Sequence, residues 1–221
     1  AWSLMGYGNY LNNGNTPPNF SIYDKYYLGW VEPQILNVTD TLQLPADGAT
    51  GYLLARNEMH SEAKACRTDT VYYIENRQQT GWDEYLPGHG MLIFHINRNA
   101  PGWNSNCSNC NPNNPGFDLE EAGGSGWYVS DSEKPFPGTS NNTAFTDSST
   151  PNSQSFNGTN LNRPIVNIAE NTNTHNITFT LGETTSRPVV QTQLPTLKID
   201  TVSVGVHLVN LASLNIIEAG V

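Results

Sequence analysis

The chain has 221 residues, enough for one medium domain or one and a half. Hydrophobic residues make up 37% and charged residues only 14%, and 28 Asn, 19 Gly and 14 Pro fill the space. That excludes a helical bundle or coiled coil, and it suits turns and long ordered loops, because Asn and Gly accept left-handed backbone and Pro fixes φ. A net charge of −10 argues against a nucleic-acid or anionic-membrane partner, both of which need basic patches. No apolar run of about 18 residues is present to span a membrane. The 22 Trp, Tyr and Phe residues nevertheless demand a buried core.

The opening AWSLMGYG carries neither an initiator Met nor a signal peptide, which suggests a mature or excised piece of a longer protein. Residues 1–18 read as successive turns. Over residues 20–30 the spacing of Phe20, Tyr23, Tyr27 and Trp30 predicts a short helix with one buried stripe, capped by Ser21 and Asp24 and stopped at Gly29. Strands are predicted at Gln34–Val38, Gly51–Arg56 and Thr70–Arg77. Met91–Ile96 is a continuous apolar run, so it is expected to be a central strand covered on both faces. Residues 97–163 are rich in Asn, Gly, Pro and Ser and need something to tie them down. Ile165–Ile168 and Asn176–Leu181 read as a closing strand pair, residues 183–196 as a linker, and VSVGVHLVNLASLNII as the start of another β segment.

Three cysteines are too few for a disulfide scaffold. Cys66 stands alone. Cys107 and Cys110 form a C-x-x-C in an Asn/Pro-rich loop, which fits a loop-pinning disulfide or two thiols better than a metal or redox site. His60, His89, His95, His175 and His207 include no i, i+4 pair. His89 and His95 share strand parity but are read first as ordinary hydrogen-bonded residues. Between residues 118 and 133, Asp118, Glu120, Glu121, Asp131 and Glu133 crowd together with only Lys134 beside them. Hard oxygen ligands suit calcium, with Asp118, Glu120 and Glu121 the candidate ligands, although the spacing is not that of an EF-hand. A solvated acidic loop is the plain alternative.

Ser3-Leu4-Met5-Gly6-Tyr7 has the form S-x-M-x-Y and resembles the Met-turn of the metzincin zinc peptidases. With WSLMGYGNYLNNG, TPP, SIYDKYYLGW, YYIENRQ, GWDEYLPGHGMLIFH and PFPGT, the chain resembles the immune inhibitor A-like family of secreted bacterial metallopeptidases over roughly residues 1–182. The resemblance implies a catalytic zinc held by H-E-x-x-H, whose Glu is the general base. No H-E-x-x-H occurs in this chain, so the zinc ligands are expected outside it. By position the resemblance implies Ser3 and Met5 as the Met-turn and Tyr7 as a zinc or oxyanion contact.

The expected architecture is mainly β with a short N-terminal α segment. Residues 1–30 would end a metzincin-like catalytic domain, residues 31–182 would form a β-sandwich-like region with long loops, and residues 183–221 a linker and partial β segment. The expected function is that of the C-terminal part of a secreted zinc metalloendopeptidase acting on protein or peptide substrates. Alone, and without the missing N-terminal part, the chain is expected to be inactive. The alternative is a non-catalytic extracellular module for adhesion or carbohydrate binding, with Trp82, Trp103 and Trp127 as stacking residues.

Overall fold

The computed structural model describes residues 1–37, 39–55, 71–124 and 129–182 with their side chains, and the backbone of 189–192, 196–198, 201–203 and 206–209. The chain divides into two compact units, Ala1–Gly182 and Glu183–Val221. Among the described residues no helix is long and apolar enough to cross a membrane.

The first unit is mainly β and carries two sheets. Strands β1 (Gln34–Ile35), β2 (Asp40–Leu44), β3 (Gly51–Ala55), β4 (Val71–Arg77), β5 (Gly90–Ile96), β6 (Phe117–Leu119), β7 (Ile165–Glu170) and β8 (Ile177–Leu181) follow one another along the chain. They pair as a five-stranded sheet ordered β1-β3-β4-β5-β6 and a three-stranded sheet ordered β2-β8-β7. Only β1 runs parallel to its neighbour; the other pairs are antiparallel. The predicted strand from Gln34 is shorter than expected, and Val38 lies outside the described residues, as does Arg56.

Alternation along the strands sorts the core into two layers. Tyr52, Leu54, Tyr72, Ile74, Met91 and Ile93 form one face of the five-stranded sheet and meet Leu44, Ile165, Ile177, Phe179 and Leu181 of the three-stranded sheet. Leu53, Val71, Tyr73, Leu92, Phe94 and Ile96 form the other face and meet Trp2, Ile22, Tyr23 and Tyr26 from the N-terminal segment. Every residue of β5 is buried, His95 included, in keeping with a largely apolar run covered on both faces.

Helix α1 (Ile22–Tyr27) starts at the expected capping box: the Ser21 hydroxyl accepts from the Asp24 amide and the Asp24 side chain accepts from Ser21. It ends in a Schellman motif, with the Gly29 amide donating to Tyr26 O at 2.9 Å and Trp30 to Lys25 O at 2.8 Å. The helix is thus only six residues long. This corrects the expected buried stripe. Ile22, Tyr23 and Tyr26 are buried, whereas Tyr27, still inside the helix, is 70% exposed, and Trp30, beyond the left-handed Gly29, is 62% exposed.

Buried polar side chains latch α1 to β4. Glu75 accepts from the Ile22 amide at 3.0 Å, at the first turn of the helix. Arg77 bridges Glu75 at 3.2 Å and Asp83 through a second, shorter contact, and also donates to Asn19 O. Asp83 accepts from both the backbone and side-chain nitrogens of Asn19. On the opposite face of β4, Asn76 donates to Leu44 O and His175 O, tying in the three-stranded sheet. The Glu75–Gln78 run therefore works as a double latch, its odd and even members serving the two sides.

The long segment after β5 is held by side-chain amides and by apolar anchors. Asn109 accepts from the amides of Gly116 and Phe117 and donates to Phe117 O. Asn142 donates to Ala122 O and Thr150 O, and Asp147 gathers Ser153, Leu161 and Asn162. Phe136, Phe145 and Leu161 are fully buried between the sheets. Cys107 and Cys110 are joined as a disulfide, while Cys66 lies outside the described residues.

In the second unit β9 (Val189–Thr192) pairs with β12 (Val206–Val209), and β10 (Thr196–Lys198) with β11 (Thr201–Ser203), all antiparallel. The predicted linker 183–196 is therefore corrected, since it contains β9 and reaches β10. Its Val-Val-Gln-Thr run is a strand because a partner four residues long lies further along the chain, a pairing that local composition does not reveal.

Candidate functional site

The Met-turn candidate is an ordered feature. Trp2 anchors it: the ring is 3% exposed and its Nε1 donates to Asp131 O at 2.9 Å. Ser3 O then accepts from the amides of Gly6 and Gly8, both at 3.1 Å, and the Ser3 hydroxyl accepts from the Met5 amide at 3.3 Å. This winds residues 3–8 into a tight turn whose tip is Met5. A Cβ at Gly8 would lie 2.5 Å from Ser3 O and 2.8 Å from Ala1 O, so backbone closes on the glycine from two sides. Gly8→Ala is expected to cost about 1–3 kcal/mol through this overpacking. Urea unfolding checks it, and an unchanged midpoint would show that the turn relaxes freely.

Anchored underneath, the turn shows its apolar side chains to solvent. Met5 is 92% exposed, Tyr7 78% and Tyr10 69%, and the Tyr7 and Tyr10 rings lie 5.9 Å apart. Tyr27 and Trp30 extend the exposed apolar set on the adjoining helix end, where Trp30 packs edge-on against Phe20 at 5.5 Å. A groove of about 620 Å³ runs beside the turn, walled by Met5, Tyr23, Trp103 and Phe117, with Ser3 and Asp24 among its polar groups. Burial pushes the Tyr23 phenol above its ordinary value, against the pull of Arg98.

The described side chains of the turn and groove do not fit a catalytic zinc. No imidazole or thiolate lines the groove, and its one carboxylate, Asp24, is engaged in capping Ser21. No step through zinc is therefore assigned to these residues. His95 lies elsewhere, fully buried in β5, with its ring stacked on Phe156 at 4.2 Å and its Nδ1 3.2 Å from Glu120 Oε1. His60 lies outside the described residues, and the same holds for the side chain of His207.

Two of the calcium candidates flank one imidazole, and the third is ion-paired to a lysine. Asp118 sits on β6 opposite His95, and Glu120, two residues on, bonds to that imidazole. Burial raises the Glu120 carboxyl above its usual range, with His95 opposing the shift. Glu121 turns instead to Lys134 at 3.0 Å, and Lys134 also holds Asp131 at 3.0 Å. Among the described residues no group of three or more His, Cys, Asp or Glu side chains could hold a metal ion. Of the tryptophans proposed for stacking, Trp82 is 59% exposed, Trp103 packs against the core layer under α1, and Trp127 lies outside the described residues.

Sequence reasoning missed the Glu75–Arg77–Asp83 latch and the grouping of His89 with His175 around Glu170. A signal for the first was available in alternating charges inside a β-branched and aromatic strand, which implies buried pairing. No protein-family model, curated protein or solved structure matches the chain.

Proposed function

We propose that this chain is the C-terminal part of a secreted zinc metalloendopeptidase that cleaves protein or peptide substrates, with Ser3 and Met5 as its Met-turn and Tyr7 as a phenol facing the reacting centre. The observation that carries the reading is the exposure of Met5 and Tyr7 at the tip of a turn whose base is pinned by Trp2 and closed on Gly8. A hydrogen-bonded turn that holds a thioether and a phenol in water suits a cover. In this reading the cover is polypeptide carrying H-E-x-x-H, which supplies the zinc ligands and the general base that this chain lacks. In the same reading Tyr7 would be the phenol that donates a hydrogen bond to oxyanion charge.

Two assays test the reading. The 221-residue chain incubated with casein and zinc is expected to release no peptides, and chelator-sensitive hydrolysis by the chain alone would overturn the division of labour. The gene sequence ahead of Ala1 is expected to encode H-E-x-x-H within a few tens of residues. Its absence would leave the adhesion or carbohydrate-binding reading, for which the exposed ring of Trp82 is the available platform.

A further inference from the structure

We propose that the pocket at the outgoing end of β5, walled by Asn97, Asn99, Asn114, Phe156 and Asn157, binds a neutral sugar unit of a glycan. Its volume is about 420 Å³, within the roughly 300–1,000 Å³ of small-molecule sites. Among the described residues no charged side chain lines it. An ion of either sign would therefore leave water there without a counter-charge. A purely apolar ligand would strip water from the amides and give them nothing to bond. A polyhydroxylated ring meets both conditions. Its hydroxyls accept from amide N–H groups, and its C–H side suits an aromatic wall.

The wall is assembled from three parts of the chain and is held by its own bonds. Asn97 follows β5 directly and is 2% exposed. Its amide donates to Gly116 O at 2.8 Å and its Nδ2 to Asn114 Oδ1 at 2.6 Å. Its own Oδ1 accepts from the Asn99 amide at 3.0 Å. Asn157 Oδ1 accepts from the Thr159 amide at 3.1 Å and from the Thr159 hydroxyl at 2.6 Å. The side-chain carbonyls of Asn97, Asn114 and Asn157 are thus taken up within the protein. Among the described residues Asn114 Nδ2 has no acceptor, so its N–H groups remain for a ligand. Phe156 lies flat on His95, with ring centroids 4.2 Å apart and 6° between the planes. Strand parity puts His95 on the same face of β5 as Asn97, and Glu120 Oε1 holds its Nδ1 at 3.2 Å. The stacking wall is therefore fixed from behind. The buried Nε2 of His95 meets no partner among the described residues, so a polar atom with unspent bonding capacity, rather than closed apolar core, backs this end of the pocket.

Saturation-transfer NMR on the 221-residue chain tests the site. The probes, at millimolar concentration, are the methyl glycosides of glucose, galactose, mannose and N-acetylglucosamine, the corresponding free sugars, and the methyl glycoside of glucuronic acid. At least one neutral methyl glycoside is expected to bind, and more tightly than the uronide. Asn114→Asp keeps the acceptor for Asn97 and removes the donor. It is expected to weaken binding at least about fivefold, the loss of one hydrogen bond with its ligand group left desolvated. Phe156→Leu removes the flat face and is expected to weaken binding as well. Trp82→Ala, which does not touch the pocket wall, is expected to leave it unchanged. Circular dichroism matching the parent shows that each variant is folded. The proposal is overturned if no neutral methyl glycoside binds, if only free sugars bind, or if the uronide binds as well as the neutral probes. Binding that survives both Asn114→Asp and Phe156→Leu, or that is abolished by Trp82→Ala, would overturn it too. The site goes beyond the peptidase reading, and binding is measured without catalysis, so either can fail alone.

Discussion

Replacing Arg77 with leucine is expected to lower the unfolding free energy by about 3–5 kcal/mol, the range for breaking a buried ion pair by removing one partner. The guanidinium, 2% exposed, stands between Glu75 and Asp83, and without it two carboxylates are left in the interior. Urea unfolding gives the size of the loss through the midpoint at unchanged slope. A loss below about 1 kcal/mol would show that water or rearrangement replaces the arginine. The variant should also respond to pH with a defined sign. Burial already raises the Glu75 carboxyl in the intact chain, and Arg77 is the largest opposing influence. A carboxyl with a raised folded pKa favours the folded state most below its unfolded value of about 4.3, and that contribution fades as pH rises toward the folded value. Removing Arg77 raises Glu75 further, so the deficit relative to the parent is expected to be smaller at pH 5 than at pH 7.5. An equal deficit at both would move the cause away from Glu75.

Phe145→Ala is expected to cost about 3–5 kcal/mol, as much as a central strand residue, although Phe145 lies in the Asn-rich stretch between β6 and β7. Its ring is fully buried, 5.4 Å from Tyr72 and 6.0 Å from Phe136, and its backbone bridges to Ile165. It belongs to the core layer shared by the two sheets. Thermal or urea unfolding measures the cost. A value near that of a surface substitution, within about 0.5 kcal/mol, would contradict this placement of the loop in the core.

These two positions show what could be read along the chain and what could not. The β4 and β5 strands were legible because β-branched and aromatic runs have a strong local signature. The caps of α1 were legible because Ser21, Asp24 and Gly29 act within one turn. Its buried face was not: Tyr27 is exposed although it lies inside the helix, and Trp30 lies beyond the Schellman turn. Strand β2 was missed for a related reason: of its five residues only Leu44 is buried, and its role depends on β8 far along the chain.

The candidate sites followed the same division. Ser3, Met5 and Tyr7 lie within one turn, so their neighbourhood was local and readable. Asp118, Glu120 and Glu121 are close in sequence, but strand parity sends Glu120 toward His95 and lets Glu121 reach Lys134. The reverse holds for His89 and His175, which become neighbours only because β7 and β8 form a hairpin beside the entrance of β5. Such proximity is a product of topology and leaves no mark in spacing.

The cross-linking of the long loops by asparagine has a consequence for how the protein ages. Asn142 spends both of its donor hydrogens on the carbonyls of Ala122 and Thr150. Deamidation to aspartate would keep the shape of the side chain and reverse its polarity, so that a carboxylate would face two carbonyl oxygens and the link would become a repulsion. In a chain whose loops are fastened by amides, slow chemical conversion of asparagine at high temperature is thus a route to loosening the fold that leaves the apolar core untouched.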